Sequence, residues 1–290
     1  LTDARLLDVG LLPPRRLHAS YTGIAQAAAP DGAPVLLWGR ASAHLSLGQS
    51  QSAACELVAR PAVPVVRRPL GGGAVWIDEA QWIYAFIVPL RLAPRRPADW
   101  AGWALQPALA TFQAFGLAAE RRGEDLWLAG RKIAGSGAAT IGGCAVFASS
   151  FLLRFPHGCF ADCIAGSAGF RAWLRAGLVA TLTDWATHAP LPSAADLRQA
   201  FVAATADAFG WKLCMDEPDA AECQAIAAAE AEIAADEDDA ATPRSVAGGI
   251  KLNRDSRLVE QACDGRLVRE LVLHGMLARR AVISIHEDRP

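Results

Sequence analysis

Residues 67–75 read Arg67-Arg68-Pro69-Leu70-Gly71-Gly72-Gly73-Ala74-Val75, and three glycines between two apolar, β-prone runs decide how the rest of the chain is read. Without Cβ atoms, main-chain N–H groups can come up against a ligand that side chains would have kept away. The run before, Val63-Pro64-Val65-Val66, and the run after, Ala74-Val75-Trp76-Ile77, both predict strands, so the glycines join strand to strand. That excludes a P-loop and a dinucleotide fingerprint, because each needs a helix N-terminus directly after its glycines. A plain hairpin turn beside two solvated arginines is the competing reading.

A second stretch, Asp125-Leu126-Trp127-Leu128-Ala129-Gly130-Arg131-Lys132-Ile133-Ala134-Gly135-Ser136-Gly137, predicts a strand, a tight turn at Ala129-Gly130 and a second strand. The chain has 25 arginines but only three lysines, Lys132, Lys212 and Lys251. A lysine kept beside an arginine in so arginine-biased a chain suits a site that needs a compact point charge between a carboxylate and a phosphate oxygen, where a planar guanidinium would not fit. An exposed turn lysine is the plainer alternative.

Together the two stretches resemble the lipoate–protein ligase family, whose signatures read Arg-Arg-x-Ser-Gly-Gly-Gly-Ala-Val-x-His-Asp and Gly-Arg-Lys-Ile-(Ala/Ser)-Gly-Ser. Both occur here in order, at 67–78 and 130–136, and a looser likeness covers most of residues 35–155. The resemblance implies an α+β fold akin to biotin and lipoate ligase catalytic domains, with mainly antiparallel sheets flanked by helices. It also implies an ATP-dependent ligase that activates lipoate or a related medium-chain acid as acyl-AMP and passes it to a lysine of an acceptor protein domain. Lys132 would be the catalytic residue. Arg67, Arg68, Gly71, Gly72, Gly73, Ala74, Val75, Asp78, Asp125, Ala134, Gly135 and Ser136 would bind acid and nucleotide, with Asp78 and Asp125 as candidates for Mg²⁺. Turn-capping by Asp78 and a strand-end role for Asp125 are equally open. Four places depart from the family pattern: Leu70 for serine, Ile77 for histidine, Gln81 for asparagine, and Ala148-Ser149-Ser150 for a His-Gly-Thr run. The alternatives are an octanoyl or lipoyl transferase working through a cysteine thioester, and a catalytically weakened ligand-binding homologue. Transferases that share the Gly-Arg-Lys signature place their cysteine upstream of it, and no cysteine lies between Cys55 and Cys144.

A chain of 290 residues with 52% hydrophobic and 20% charged content can bury a sizeable core. No apolar run approaches the ~20 residues that span a bilayer, and no secretory signal is visible at Leu1-Thr2-Asp3-Ala4-Arg5. Seven scattered cysteines suit reduced thiols in the cytoplasm, and the Cys159/Cys163 pair lacks the partners of a zinc set. The net charge of −2 conceals an acidic run between Asp216 and Asp239, leaving the remainder basic enough to attract a nucleotide or an acidic protein. No clustered basic, aromatic-interleaved patch suggests nucleic acid.

Helices are expected at about 15–29, 97–116, 172–188, 194–209 (Ser193 as N-cap, Gly210 as stop) and 222–236. Strands are expected at 35–38, 44–48, 83–88 and 146–155. Thr242-Pro243-Arg244 predicts a boundary between a catalytic domain, 1–242, and a small accessory domain, 243–290, in which Asp264-Gly265 marks a hairpin. Under fifty residues, the second unit is expected to pack on the first.

Overall fold

The computed structural model describes residues 1–236, 243–244 and 246–284, so Thr242 of the expected boundary and the end of the acidic run lie outside the described residues. The chain opens with β1 (Thr2–Leu12), α1 (Pro14–Ala27), β2 (Val35–Ala41), β3 (His44–Leu47) and a single turn, α2 (Ala53–Glu56). Next come β4 (Val65–Arg67), β5 (Val75–Ile77), β6 (Gln81–Pro89), α3 (Trp100–Ala104) and α4 (Gln106–Ala114). The middle of the chain gives β7 (Glu120–Arg122), β8 (Asp125–Leu128), β9 (Arg131–Ala134), β10 (Ser136–Ile141) and β11 (Cys144–Leu152). After α5 (His157–Cys163), α6 (Ala168–Thr181), α7 (Ala194–Phe209), β12 (Trp211–Met215) and α8 (Ala220–Ala235), the chain ends in β13 (Gly249–Asn253), β14 (Ser256–Cys263), β15 (Arg266–Leu273) and β16 (Met276–Ser284).

Six strands form the central sheet in the order β10-β11-β6-β2-β1-β12. Its pairings are antiparallel except that β1 runs parallel to both β2 and β12. The run Ile83–Val88 is apolar at every position because both faces of β6 are covered, and its period-2 alternation divides the side chains between two cores. Tyr84, Phe86 and Val88 join Trp38, Phe147 and Phe151 beneath α4 and α7, where Phe112, Leu197 and Phe201 meet them. Ala85 and Ile87 join Leu37 and Val146 on the opposite face, under Tyr21 and Ile24 of α1 and Ile226, Ala229 and Ile233 of α8. Burial of each such large side chain contributes roughly 1.5–3 kcal/mol.

The alanine-rich α8 backs α1 at very short range: a Cβ on Gly23 would fall 2.3 Å from the Ile226 backbone nitrogen. Asp219 and Glu222 form a reciprocal capping box at its start, and Glu222 also receives Arg5. Within the acidic run, Glu230 pairs with Arg16 of α1, one face of which borders the site.

Several expectations shift. The flanking strands β1 and β12 were not anticipated, since Asp3, Arg5 and Asp8 interrupt β1's apolar alternation; pairing of Arg5 with Asp216 and Glu222 is what makes its position tolerable. The 97–116 helix is broken into a 3₁₀ turn at Pro97–Asp99, α3 and α4, with the second break just ahead of Pro107, which has no N–H to continue the ladder. The helix expected at 172–188 begins at Ala168, where Ser167 caps it, and ends at Thr181. Ser193 and left-handed Gly210 bound α7 as expected. Residues 264 and 265 both have positive φ, as a tight hairpin turn with a right-handed twist requires.

The glycine segment is not a hairpin turn. Strands β4 and β5 lie on opposite sides of β3, in the order β4-β3-β5, with β4 parallel and β5 antiparallel to it. The glycines therefore cross over the end of β3. The C-terminal strands form an antiparallel meander, β13-β14-β15-β16, that packs on α6. Contact is tight at Gly177, where a Cβ would meet Leu252 at 2.9 Å and Leu271 at 3.0 Å. Among the described residues, no helix is long and apolar enough to cross a membrane.

Candidate functional site

A cavity of about 900 Å³ opens between the glycine crossover, the β8–β9 hairpin, α1 and β13. Both sequence motifs reach it. Arg68, Gly72, Gly73, Ala74, Val75, Asp125, Lys132, Ala134, Gly135 and Ser136 all line it, whereas Arg67, Gly71 and Asp78 do not.

Arg68 holds the crossover in shape. Its guanidinium is buried and donates from Nη1 to the Ser46 carbonyl at 2.8 Å, and from Nη2 to the carbonyls of Gly71 and Gly73, both at 2.9 Å. In a trans peptide the N–H points opposite to the C=O of the same plane, so the N–H groups of Gly72 and Ala74 are directed away from Arg68. Among the described residues, the N–H groups of Gly71 through Ala74 make no hydrogen bond. Gly48 packs on the same loop so closely that a Cβ there would lie 1.9 Å from the Gly72 carbonyl oxygen, and the Gln49 N–H donates to Leu70 O at 3.1 Å. Burial pushes the Arg68 guanidinium below its ordinary value, and no carboxylate bonds to it among the described residues. A buried cation of this kind favours an anion in the adjoining space.

Lys132 sits on β9, next to a β-bulge in which Ile133 is the extra residue: Trp127 faces Lys132 and Leu126 faces Ala134. Its backbone is tied to the segment after α6 through Thr183 N–H to Lys132 O, 2.9 Å. The ammonium reaches Asp125 Oδ1 at 2.8 Å. Gly135 leaves room for it, since a Cβ there would lie 2.9 Å from both Lys132 Cε and Nζ. The preceding turn places Ala129 and Gly130 at positive φ. Ser136 Oγ donates to Glu124 O and Ser149 Oγ donates to Gly135 O, each at 2.8 Å, which fixes the strand on both sides of Gly135.

The other predicted positions have different surroundings. Arg67 lies 3.6 Å from Asp236. Asp78 is a turn cap: Oδ2 accepts from the Trp76 indole at 2.7 Å and Oδ1 from the Ala80 N–H at 2.9 Å. With Asp78 committed to its own turn and Asp125 to Lys132, the two carboxylates do not come together. Among the described residues, no group of three or more His, Cys, Asp or Glu side chains is arranged to hold a metal. Of the two carboxylates named for Mg²⁺, Asp125 lines the cavity and Asp78 does not.

Sequence reasoning missed two walls of the cavity. The first is β13 and its turn, where Lys251, Asn253 and Arg254 line the site. Asn253 is buried; its Oδ1 accepts from Asp255 N–H at 3.0 Å, while Nδ2 has no partner among the described residues. An unpaired buried donor in a cavity wall is a place for a ligand acceptor. The second wall is α1, which supplies Leu17, His18 and Tyr21. Tyr21 Oη lies 2.9 Å from His18 Nδ1, His18 Nε2 lies 3.2 Å from His44 Nε2, and His44 Nδ1 lies 2.7 Å from the Ser42 carbonyl. Burial lowers His18 well below the ordinary imidazole range, with the charges of His44 and Arg68 adding to it, and burial brings His44 down to about 4. The sequence signal was the pair His18 and Tyr21, three residues apart on the buried face of a predicted helix.

The four departures from the family pattern also converge here: Leu70, Ile77, Gln81, Ala148, Ser149 and Ser150 all line the cavity. Five lining cations, Arg68, Arg122, Lys132, Lys251 and Arg254, stand against two carboxylates, Glu124 and Asp125, an excess suited to a polyanion. None of the seven cysteines lines it.

A family model described as the lipoyl protein ligase A/B catalytic domain matches residues 20–204. No curated protein sequence matches the chain. Among solved structures, the chain is similar to a bipartite lipoate protein ligase, solved in a study of that ligase and its E2 lipoyl domain from Thermoplasma acidophilum. That match has a TM-score of 0.73 and 17% identity over 80% of this chain and 93% of the other. It is also similar to lipoate-protein ligase A bound with ATP, at a TM-score of 0.67 and 15% identity over 79% and 95%. The lipoate complex of P. falciparum LipL1 matches with a TM-score of 0.61 and 11% identity over 97% of this chain and 84% of that one. At these identities the structural likeness concerns the fold.

Proposed function

The chain belongs to the lipoyl protein ligase A/B catalytic-domain family, and from that premise we propose that it is an ATP-dependent ligase joining lipoate, or a related medium-chain acid, to a lysine of an acceptor protein domain. The single observation that carries this reading is the meeting of Lys132 with the unbonded N–H groups of the glycine crossover at one cavity.

A carboxylate does not acylate an amine at neutral pH, because its leaving group would be oxide or hydroxide. Attack of a carboxylate oxygen on the α-phosphorus of ATP forms an acyl–O–P bond as the bond to pyrophosphate breaks. The lysine amine of the acceptor then attacks the acyl carbonyl, and AMP leaves with the bonding pair. The enzyme's share is positioning and charge stabilisation. The N–H groups of Gly72 and Ala74 hold the α-phosphate and carboxylate oxygens. Arg68 keeps those N–H groups aimed and adds positive potential. Lys132, steadied by Asp125, neutralises charge on the carbonyl and bridging oxygens. Lys251, Arg254 and the Asn253 amide supply further cation and donor groups for the polyphosphate, so the accessory unit, which we place from residue 243 onward, takes part in nucleotide binding. No step is routed through Mg²⁺.

Acyl transfer through a cysteine thioester fits less well. Cys144 is buried away from the cavity and burial pushes its thiol up, opposite to what a nucleophile requires. Acid-dependent exchange of radiolabelled pyrophosphate into ATP tests the proposal. The expected result is exchange with lipoate or octanoate and none without acid; acyl transfer to a lipoyl domain at full rate without ATP would refute it.

A further inference from the structure

Arg244, at the expected domain boundary, turns its side chain inward and sets its guanidinium between the catalytic and accessory units; only 14% of the side chain is exposed. Nε donates to the Cys55 carbonyl at 2.6 Å, and Nη2 donates to the carbonyls of Ala165 at 2.7 Å and Glu56 at 3.3 Å, all in the catalytic unit. Nη1 donates at 3.5 Å to the carbonyl of Gly249, the first residue of β13. The Glu56 carboxylate, itself buried, lies 3.9 Å from Nε and balances the charge. A rigid fork of N–H donors reaches four carbonyls that diverge in this way, and the compact ammonium of a lysine does not.

Both sides of this clamp lead to the cavity. On the accessory side, Pro243 lines the cavity, and β13 runs from Gly249 into Lys251, Asn253 and the following Arg254, which line it too. On the catalytic side, Cys55 and Glu56 end α2, and the turn before α2 supports the glycine crossover. There the Gly48 N–H donates to Gln51 Oε1 at 3.1 Å, the Gln51 N–H donates to Gly48 O at 2.9 Å, and Gly48 packs on Gly72. One side chain thus ties the wall that carries Lys251 and Arg254 to the segment that props the loop of N–H groups. Attachment of the accessory sheet has other supports: Leu252 and Leu271 pack on α6 at Gly177, and Arg269 bonds both Glu260 and Ser167, the cap of α6. Removal of Arg244 therefore leaves the sheet docked and frees the start of β13 to shift.

We propose that Arg244 is a positioning residue for the nucleotide, acting through β13 to hold Lys251, Asn253 and Arg254 at the spacing from the glycine crossover at which both walls grip one polyphosphate. The identity of that ligand rests on the ligase reading.

Calorimetric titration of the full chain with α,β-methylene-ATP and Mg²⁺, and separately with lipoate, tests this without requiring turnover. Arg244→Ala should bind the nucleotide analogue ~10-fold more weakly, the size of one charge-assisted hydrogen bond lost, and should bind lipoate as the wild type does. Because the residue acts through β13, its effect should shrink once Arg254 is absent. In a cycle with Arg254→Ala, the double variant should bind the analogue less weakly than the product of the two single effects. A residue that only stabilises the fold would give effects that multiply, and would weaken lipoate binding equally. Either result, or unchanged analogue affinity in Arg244→Ala, would overturn the proposal. Arg244→Lys, which keeps the charge without the fork, carries the same comparison where Arg244→Ala does not fold. A wild-type protein that binds no analogue would contradict the ligase reading and this inference with it. Normal binding by the wild type beside equal binding by Arg244→Ala would remove this inference alone.

Discussion

The two ends of the cavity are built in opposite ways. At the Lys132 end, the groups come from contiguous stretches, 67–75 and 125–136, and the backbone does much of the work: N–H groups freed by the Arg68 clamp, and an ammonium in the space left by Gly135. At the α1 end, residues 17, 18, 21, 44 and 77 meet only because α8 presses α1 onto the sheet and β3 pairs with β5. The first end offers a cation and main-chain donors to a ligand, and the second is a set of side chains buried by packing. Changes at the first should therefore alter rates for every acid, and changes at the second should alter stability as well.

Lys132→Ala is the strongest way to separate the two. Loss of charge stabilisation at the reacting centre should lower acid-dependent pyrophosphate exchange ~10²-fold or more for all acids alike, with the thermal midpoint little changed. A folded Lys132→Ala protein that keeps near wild-type exchange would break the distinction.

The α1 end should reveal itself through pH. His44 has a folded pKa of about 4, below the ordinary 6.5, and His18 is lowered in the same direction. Between these values the unfolded chain binds the proton and the folded one does not, so stability is lost as pH falls from about 6.5 toward 4. Each pH unit is worth about 1.4 kcal/mol per histidine, or roughly 3 kcal/mol from His44 across the window. Urea unfolding at pH 7, 6 and 5 should show this decline, and His44→Gln should flatten it. Equal slopes in the two proteins would show that the imidazole pair does not titrate as its burial requires.

Gly135→Ala sharpens the account of the first end. The new methyl group would meet the flexible tip of Lys132, so the ammonium should move while the fold stays intact. Exchange should drop ~10-fold with a near-normal melting temperature, since displacement of one charged group by about an ångström costs rate rather than stability. A large fall in melting temperature would mean that the glycine is needed for the strand itself. The smallest effect is expected for Cys144→Ser, which should retain ATP-dependent transfer; hydroxylamine-sensitive acyl on Cys144 formed without ATP would contradict it.

What could be read from the chain alone follows the same division. The strands around the glycines, the Ala129-Gly130 turn, α7 with its caps and the Asp264-Gly265 hairpin were legible because each is specified within a dozen residues. So was the convergence of Lys132 with the glycine stretch, through a family resemblance that rests on contiguous motifs. Asp78 illustrates the limit: its place in the signature suggested a ligand contact, and the structure shows both oxygens capping its own turn, outside the cavity lining. Arg68 was expected as a phosphate contact; it lines the cavity and also holds the loop's carbonyls, which the sequence does not show. Asn253 and the His18–His44 pair could not be read, because their positions depend on how distant elements dock, α6 against the C-terminal sheet and α1 against α8. The departures at Leu70, Ile77, Gln81 and 148–150 were visible as departures; only the fold shows that they share one cavity.

The central claim is that the Lys132 end activates a carboxylate by adenylation. Recovery of the intermediate tests it most directly: the protein is incubated with ATP, Mg²⁺ and lipoate in the absence of an acceptor, quenched in acid, and the released small molecules are measured by mass spectrometry. The wild-type protein should yield acyl-AMP approaching one equivalent per chain, and Lys132→Ala should yield almost none. Absence of acyl-AMP from the wild-type protein, together with an acyl group transferred from a thioester donor when no ATP is present, would contradict the claim.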